Sequence, residues 1–207
     1  MNEHSFIFAK LMRTRDANKE RSIRDKALQM IVKEGLKGFS MQKLARAANV
    51  SPATIYIYFK NKEDLLIRLC EEAGEKMVDI TLRDFNPSMS FSEGLRVQWI
   101  NRAKYCMKYP EQMDFLEQLR HSPYSEQMTA MMGDKFKTAM GQFVSNAIKR
   151  KELVKVPVEV YWSIAFAPLY NLVKFHMTGK SLAERKFVLT DKVMKATFEL
   201  VLKALKP

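Results

Sequence analysis

Between Ser40 and Lys62 the chain sets hydrogen-bonding and cationic side chains at short intervals: Ser40, Gln42, Lys43, Ser51, Thr54, Tyr56, Tyr58, Lys60 and Lys62. Hydroxyls and ammoniums hold phosphates, and an amide reads a base edge, Gln favouring adenine through N6 and N7. The side chain of Ile57 suits a thymine methyl. Catalytic chemistry has no comparable footing. His4, His121 and His176 are far apart and lack metal spacing with one another or with Cys70 and Cys106. Seven glycines are scattered and form no phosphate loop. No metal, cofactor or enzymatic activity is expected.

The elements that must position these groups are legible. Ser40 can N-cap a helix whose inward residues are Met41, Leu44, Ala45 and Ala48. Asn49-Val50 breaks it, since Asn tolerates the left-handed conformation that ends helices. Ser51 caps a second short helix with Pro52 at its first position. At roughly 100° per residue, Ile55 and Phe59 bury, while Ala53, Thr54, Ile57 and Tyr58 face out. Asn61 caps a third helix, with Glu63 and Asp64 favoured in its first turn by the helix dipole. A short helix presenting Thr, Ile and Tyr beside Lys43, Lys60 and Lys62 fits a helix-turn-helix, whose outward residues reach base edges. The bland alternative is a helical hairpin with a stray surface Ile.

The residues Ser40, Leu44-Ala45, Ala48-Asn49-Val50-Ser51, Ile55-Tyr56-Ile57-Tyr58-Phe59 and Lys62-Glu63-Asp64-Leu65 resemble the DNA-binding motif of the tetracycline-repressor (TetR) family of bacterial regulators. Asn49 replaces that motif's usual Gly, and Pro52-Ala53 its commoner Lys/Arg-Gly. The second departure alters what the recognition helix shows to DNA, so no operator sequence carries over. The resemblance implies a helical body that dimerises and commonly holds a small effector.

Charge agrees with this reading. Net charge is +12, and residues 1–68 hold 14 Lys/Arg against 7 Asp/Glu. The basic excess is concentrated where phosphate binding would require it. Two lone cysteines suit a reducing cytosol, and no apolar run approaches the roughly 20 residues of a membrane span or makes a signal peptide. A cytoplasmic protein without membrane contact is expected.

Taken in order, residues 1–19 form an N-terminal arm, either frayed or a helical extension; 20–66 are the DNA-binding head; 67–207 are the effector-binding and dimerisation body. Gly35 should end a helix over 20–34, and a long helix from Asn61 to about Asp84 should join head to body. Further helices are predicted from Ser92 to Tyr109, from Pro110, from Ser125 to Lys151 with a stripe including Met128, Met131 and Met132, over 158–177, and from Thr190. The fold class is all-α.

Large soft residues recur in the body. Trp99, Phe115, Phe136, Met140, Phe143, Phe166 and Tyr170 are candidate effector contacts, each equally readable as core. Val193, Met194, Phe198, Val201, Leu202 and Leu205 form a clean stripe for a two-fold helical interface. The partners expected are double-stranded DNA, a second copy and an unidentified small, largely apolar effector. The DNA-binding residues comprise Ser40, Gln42, Lys43, Ser51, Pro52, Ala53, Thr54, Tyr56, Ile57, Tyr58, Lys60 and Lys62. The function predicted is that of a repressor released from a palindromic operator by the effector, the alternative being a DNA-binding regulator with no small-molecule effector, released by a protein partner or not at all.

Overall fold

Gly35 leaves the helical region as expected, and a last turn to Gly38 follows it across a kink. Helix α1 spans Glu3–Gly38, with Gly35 at φ 76° and ψ 163°, a conformation essentially reserved to glycine. The predicted 20–34 helix is thus the inner part of a longer one, and the helical extension is what the N-terminal stretch adopts from Glu3. The computed structural model describes residues 3–126, 133–180, 182–183 and 186–207, with side chains from Ala17 onward. The expected stripe members Met128, Met131 and Met132 lie outside the described residues.

After α1 come α2 (Met41–Ala47), α3 (Pro52–Tyr58) and α4 (Lys62–Thr81). Ile23, Ala27, Ile31, Leu44, Ile55, Phe59, Leu65 and Leu66 are buried and make the core on which these helices close. Helices α5 (Phe91–Lys108), α6 (Pro110–Arg120), α7 (Gly133–Lys149), α8 (Val158–Ala165), α9 (Ala167–Thr178) and α10 (Asp191–Leu205) follow. No sheet forms among the described residues, which hold one isolated antiparallel bridge between Lys180 and Lys186. The fold is all-α.

The chain divides into two compact units. One takes the described residues up to Gly74 and the segment from Glu111, so α6 groups with the head; the other takes Glu75–Pro110 and the C-terminal helices. Helix α4 contributes its first part to one and its last turns to the other. Cys70 on α4 and Cys106 on α5 are buried free thiols, one in each unit.

Several boundaries differ from the sequence reading, each for a local reason. Ser90, not Ser92, caps α5: its hydroxyl accepts from Glu93 N–H while the Glu93 carboxylate accepts from Ser90 N–H, a complete capping box. Helix α4 stops at Thr81, and Asp84 takes a left-handed φ of 56°. Of the helix expected across 125–151, residues 127–132 lie outside the described residues; Gly133, at φ 65°, leaves the right-handed region, and α7 starts there. The 158–177 helix is broken in two at Phe166 (φ −127°, ψ −28°). Pro168 explains the break: it has no N–H to donate, and its ring clashes with the preceding turn of a straight helix. The break frees the Ala165 carbonyl, and the Trp99 indole N–H takes it at 2.7 Å.

In this second unit α5 packs against α7 and α9, and α8 against α9 and α10. The α5–α7 approach is close because Gly94 has no side chain. A Cβ there would lie 2.3 Å from the Phe143 ring.

Candidate nucleic-acid interface

Helix α3 is held by few atoms and held firmly. Ser51 Oγ accepts from Thr54 N–H at 3.1 Å and pairs with the Thr54 hydroxyl at 2.9 Å. Ile55 and Phe59 are fully buried beneath it. The turn before it is a Schellman motif: Val50 N–H donates to Ala45 O and Asn49 N–H to Arg46 O, with Asn49 at φ 52°. Asn thus performs the role of the glycine the motif usually carries.

What α3 shows outward is apolar and phenolic. Ile57 is 77% exposed and Tyr56 53%. Pro52 and Ala53 are exposed, and Thr54 and Tyr58 are half-buried. On α2, Ser40 Oγ caps Lys43 N–H at 3.2 Å. Gln42 and Arg46 are exposed and four residues apart, which puts them on one helix face. Arg46 is a cation that the i, i+4 spacing from Gln42 would have flagged.

The lysines differ in what they can offer. Lys60 is exposed, and no described residue takes its ammonium in an ion pair or hydrogen bond. Lys43 is exposed but tethered, its ammonium donating to Glu34 Oε2 at 3.1 Å and Gly38 O at 2.8 Å. Lys62 departs from expectation. Its half-buried ammonium donates to Leu36 O at 2.6 Å and Phe39 O at 3.0 Å, and lies 5.6 Å from the Phe39 ring centroid. Two of its three donors serve carbonyls left over at the end of α1, so it ties α4 to the α1–α2 turn.

The start of α4 is fixed electrostatically as well. Asn61 Oδ1 accepts from Asp64 N–H at 2.8 Å. The Asp64 carboxylate accepts from Lys60 N–H at 2.9 Å and from Arg68 Nε at 3.2 Å. The backbone N–H of Lys60, then Arg68, hold the Asp64 carboxyl below its ordinary 3.8. Arg68 also reaches Glu20 on α1 at 3.8 Å, while Arg24 reaches Glu72 at 3.4 Å.

The body residues singled out from sequence do not form one set. Phe115 is buried on α6, in the first unit; the other six lie in the second. Phe143 is core, wedged against Gly94, with ring centroids 5.1 Å from Phe85 and 5.8 Å from Phe91. Trp99 is core too, bonded to Ala165 O and edge-on to Phe198 at 5.3 Å. Met140 is buried on α7. Phe136, Phe166 and Tyr170 meet at a residue the sequence reading passed over, the buried Arg102. Of the interface stripe, Phe198, Val201, Leu202 and Leu205 are buried within a single chain, and Val193 and Met194 half-buried. Those four are covered by their own unit, and Val193 and Met194 keep part of their surface exposed.

His176 Nδ1 accepts from Leu189 N–H at 3.3 Å, and no group of three His, Cys, Asp or Glu among the described residues could hold a metal. No described helix is long and apolar enough to cross a membrane.

A capped seven-residue helix with an exposed apolar and phenolic face, set by a Schellman turn on a second short helix, defines a helix-turn-helix protein. Residues 23–69 match the family model for bacterial regulatory proteins of the tetR family. An uncharacterized HTH-type transcriptional regulator of Haemophilus influenzae is 34% identical over 95 residues, covering 46% of this chain; the match spans about half of that relative's length, 51%. A Bacillus subtilis regulator described in the same words, YvkB, is 28% identical over 167 residues, 78% of this chain and 85% of that protein. The crystal structure of a TetR family transcription regulator from Marinobacter aquaeolei superposes with a TM-score of 0.69 at 26% identity, covering 94% of this chain and 98% of the other. Residues 23–69 thus carry a DNA-binding domain of the tetR family, and the described residues share the fold of TetR-family regulators. These relatives are regulators, not enzymes.

Proposed function

We propose that this protein is a cytoplasmic transcriptional repressor that binds an inverted-repeat operator as a homodimer and is released by a small effector held in its second unit. The observation that carries the reading is the face of α3, where Ile57 stands 77% exposed on a helix anchored by Ile55 and Phe59. An exposed Ile on so rigid a support has a physical reason if it meets a thymine methyl. One seven-residue helix reads only a few base pairs; two heads about 34 Å apart read a palindrome. The exposed apolar residues Val158 and Val160 on α8 and Leu200 on α10 offer a surface for the second copy. Helix α4, covalently continuous between the units, is the route by which an effector would alter head spacing.

Selection of bound fragments from random DNA tests the reading. An inverted repeat should emerge. Gln42→Ala should relax preference at one base pair per half-site by about 1–3 kcal/mol. No enriched motif, or an asymmetric one, would overturn it.

A further inference from the structure

Arg102 is a feature of the second unit that its own packing does not explain, as is the buried, unpartnered Gln98 Oε1 one turn before it on α5. The Arg102 side chain is 2% exposed, and Nη1 donates to the Tyr170 hydroxyl at 2.7 Å. Nε and Nη2 are buried with no hydrogen-bond partner, and no carboxylate among the described residues pairs with the guanidinium. Three rings surround it: Phe166 at 4.2 Å, Trp162 at 4.9 Å and Phe136 at 5.6 Å to their centroids. Aromatic faces temper a cation's charge but give its in-plane N–H groups no acceptor. Tyr161, whose ring lies 6.1 Å from that of Phe166, has a buried hydroxyl that also lacks a partner.

The two unpartnered nitrogens are not an arbitrary pair. Nε–H and Nη2–H flank the same edge of the guanidinium plane, the side-on fork that takes both oxygens of one carboxylate. An uncompensated buried cation is costly, and a bound anion offsets that cost directly. One cation among aromatic walls matches a monoanion with an apolar body; a dianion would be left half-neutralised in the same surroundings.

We propose that this edge of Arg102 receives the carboxylate of a small amphipathic acid, with the acid's apolar part against Phe136, Trp162 and Phe166 and the Tyr161 hydroxyl as a further donor. The proposal rests on reading the second unit as the effector-binding one. It replaces a merely apolar effector with an acidic one.

The test is calorimetric titration of the intact protein, without DNA, using decanoate against 1-decanol and benzoate against benzyl alcohol, followed in parallel by Trp fluorescence. At least one acid should bind saturably and at least tenfold more tightly than its alcohol. Arg102→Lys keeps the charge but loses the fork, and should weaken that acid tenfold or more while leaving the alcohol unchanged. Arg102→Met should abolish the acid preference and raise Tm. Binding by neither acid, a preference below tenfold in the wild type, or full acid affinity in Arg102→Lys would overturn the proposal. DNA retention is measured separately on the acid-free protein. Its loss would sink the regulator reading alone, and failed acid binding with DNA retained would sink only this one.

Discussion

Lys60 and Lys62 are two residues apart and meet different partners. The exposed Lys60 ammonium makes no hydrogen bond or ion pair among the described residues, whereas Lys62 commits its own to the Leu36 and Phe39 carbonyls. Lys60→Ala should weaken binding to all DNA sequences alike and flatten the log affinity–log salt plot by about one unit of slope. Lys62→Met should leave that slope alone and cost about 1–3 kcal/mol of stability, since it strands two carbonyls; urea unfolding beside salt titration of binding separates the two. Asp64 adds a pH dependence. Its carboxyl is held below 3.8 in the fold, chiefly by the Lys60 N–H, so its stabilising effect is complete above that value. The effect is lost as pH falls through 3.8 towards the lower folded value. Asp64→Ala should therefore narrow the stability gap between pH 6 and pH 3 in denaturant titrations. Sequence spacing was enough to place Ile55, Phe59, Ser51 and Asn49. It was not enough to separate Lys60 from Lys62, because the carbonyls that capture Lys62 are 23 and 26 residues away along the chain.

At the scale of elements, the caps of α2, α3 and α10 were readable because each depends on residues within three or four positions: Ser40 on Lys43, Ser51 on Thr54, Thr190 on Val193. Ser90 was readable by the same rule through Glu93, but Ser92 competed for the cap and hid it. The 158–177 run has helical composition throughout, and a single proline outweighed it. Arg102 lay in plain view as well. It falls three residues after Trp99 and four before Cys106, on the face that buries, and its charge disguised its place there. Helices α5 and α7 meet through Gly94 and Phe143, a contact no periodicity reports. Gly94→Ala would drive a Cβ into that ring and should lower stability by about 1–3 kcal/mol. Phe143→Leu added to it should recover part of the loss, which thermal melts of the single and double variants will show.

At the scale of the whole molecule, the C-terminal stripe carries the lesson. Period alone marks a face as apolar without saying whether it is covered from within or by another copy. Phe198, Val201, Leu202 and Leu205 are covered from within. Among the apolar residues left exposed on the helices of this unit are Leu200, 68% exposed, and Val158, 67% exposed. Sedimentation should therefore find wild type as a dimer at micromolar concentration. Leu200→Glu should give a folded monomer with native helical content. Phe198→Glu should unfold the second unit instead, since it sets a carboxylate against the Trp99 ring in the core. A Leu200→Glu protein that stays dimeric would move the interface elsewhere.

Cys70 and Cys106 are each sealed by burial, their thiols pushed up to about 11, and each belongs to a different unit. Neither presents a thiolate to an oxidant or alkylating agent while its surroundings are closed. Modification therefore waits on local opening, and its rate tracks the free energy of that opening. The protein carries, with nothing added, two clocks: Cys70 times the loosening of the head, and Cys106 that of the body. Pulse alkylation with mass readout can thus follow which half breathes when DNA or an acid is bound, from one tube and without a fluorophore.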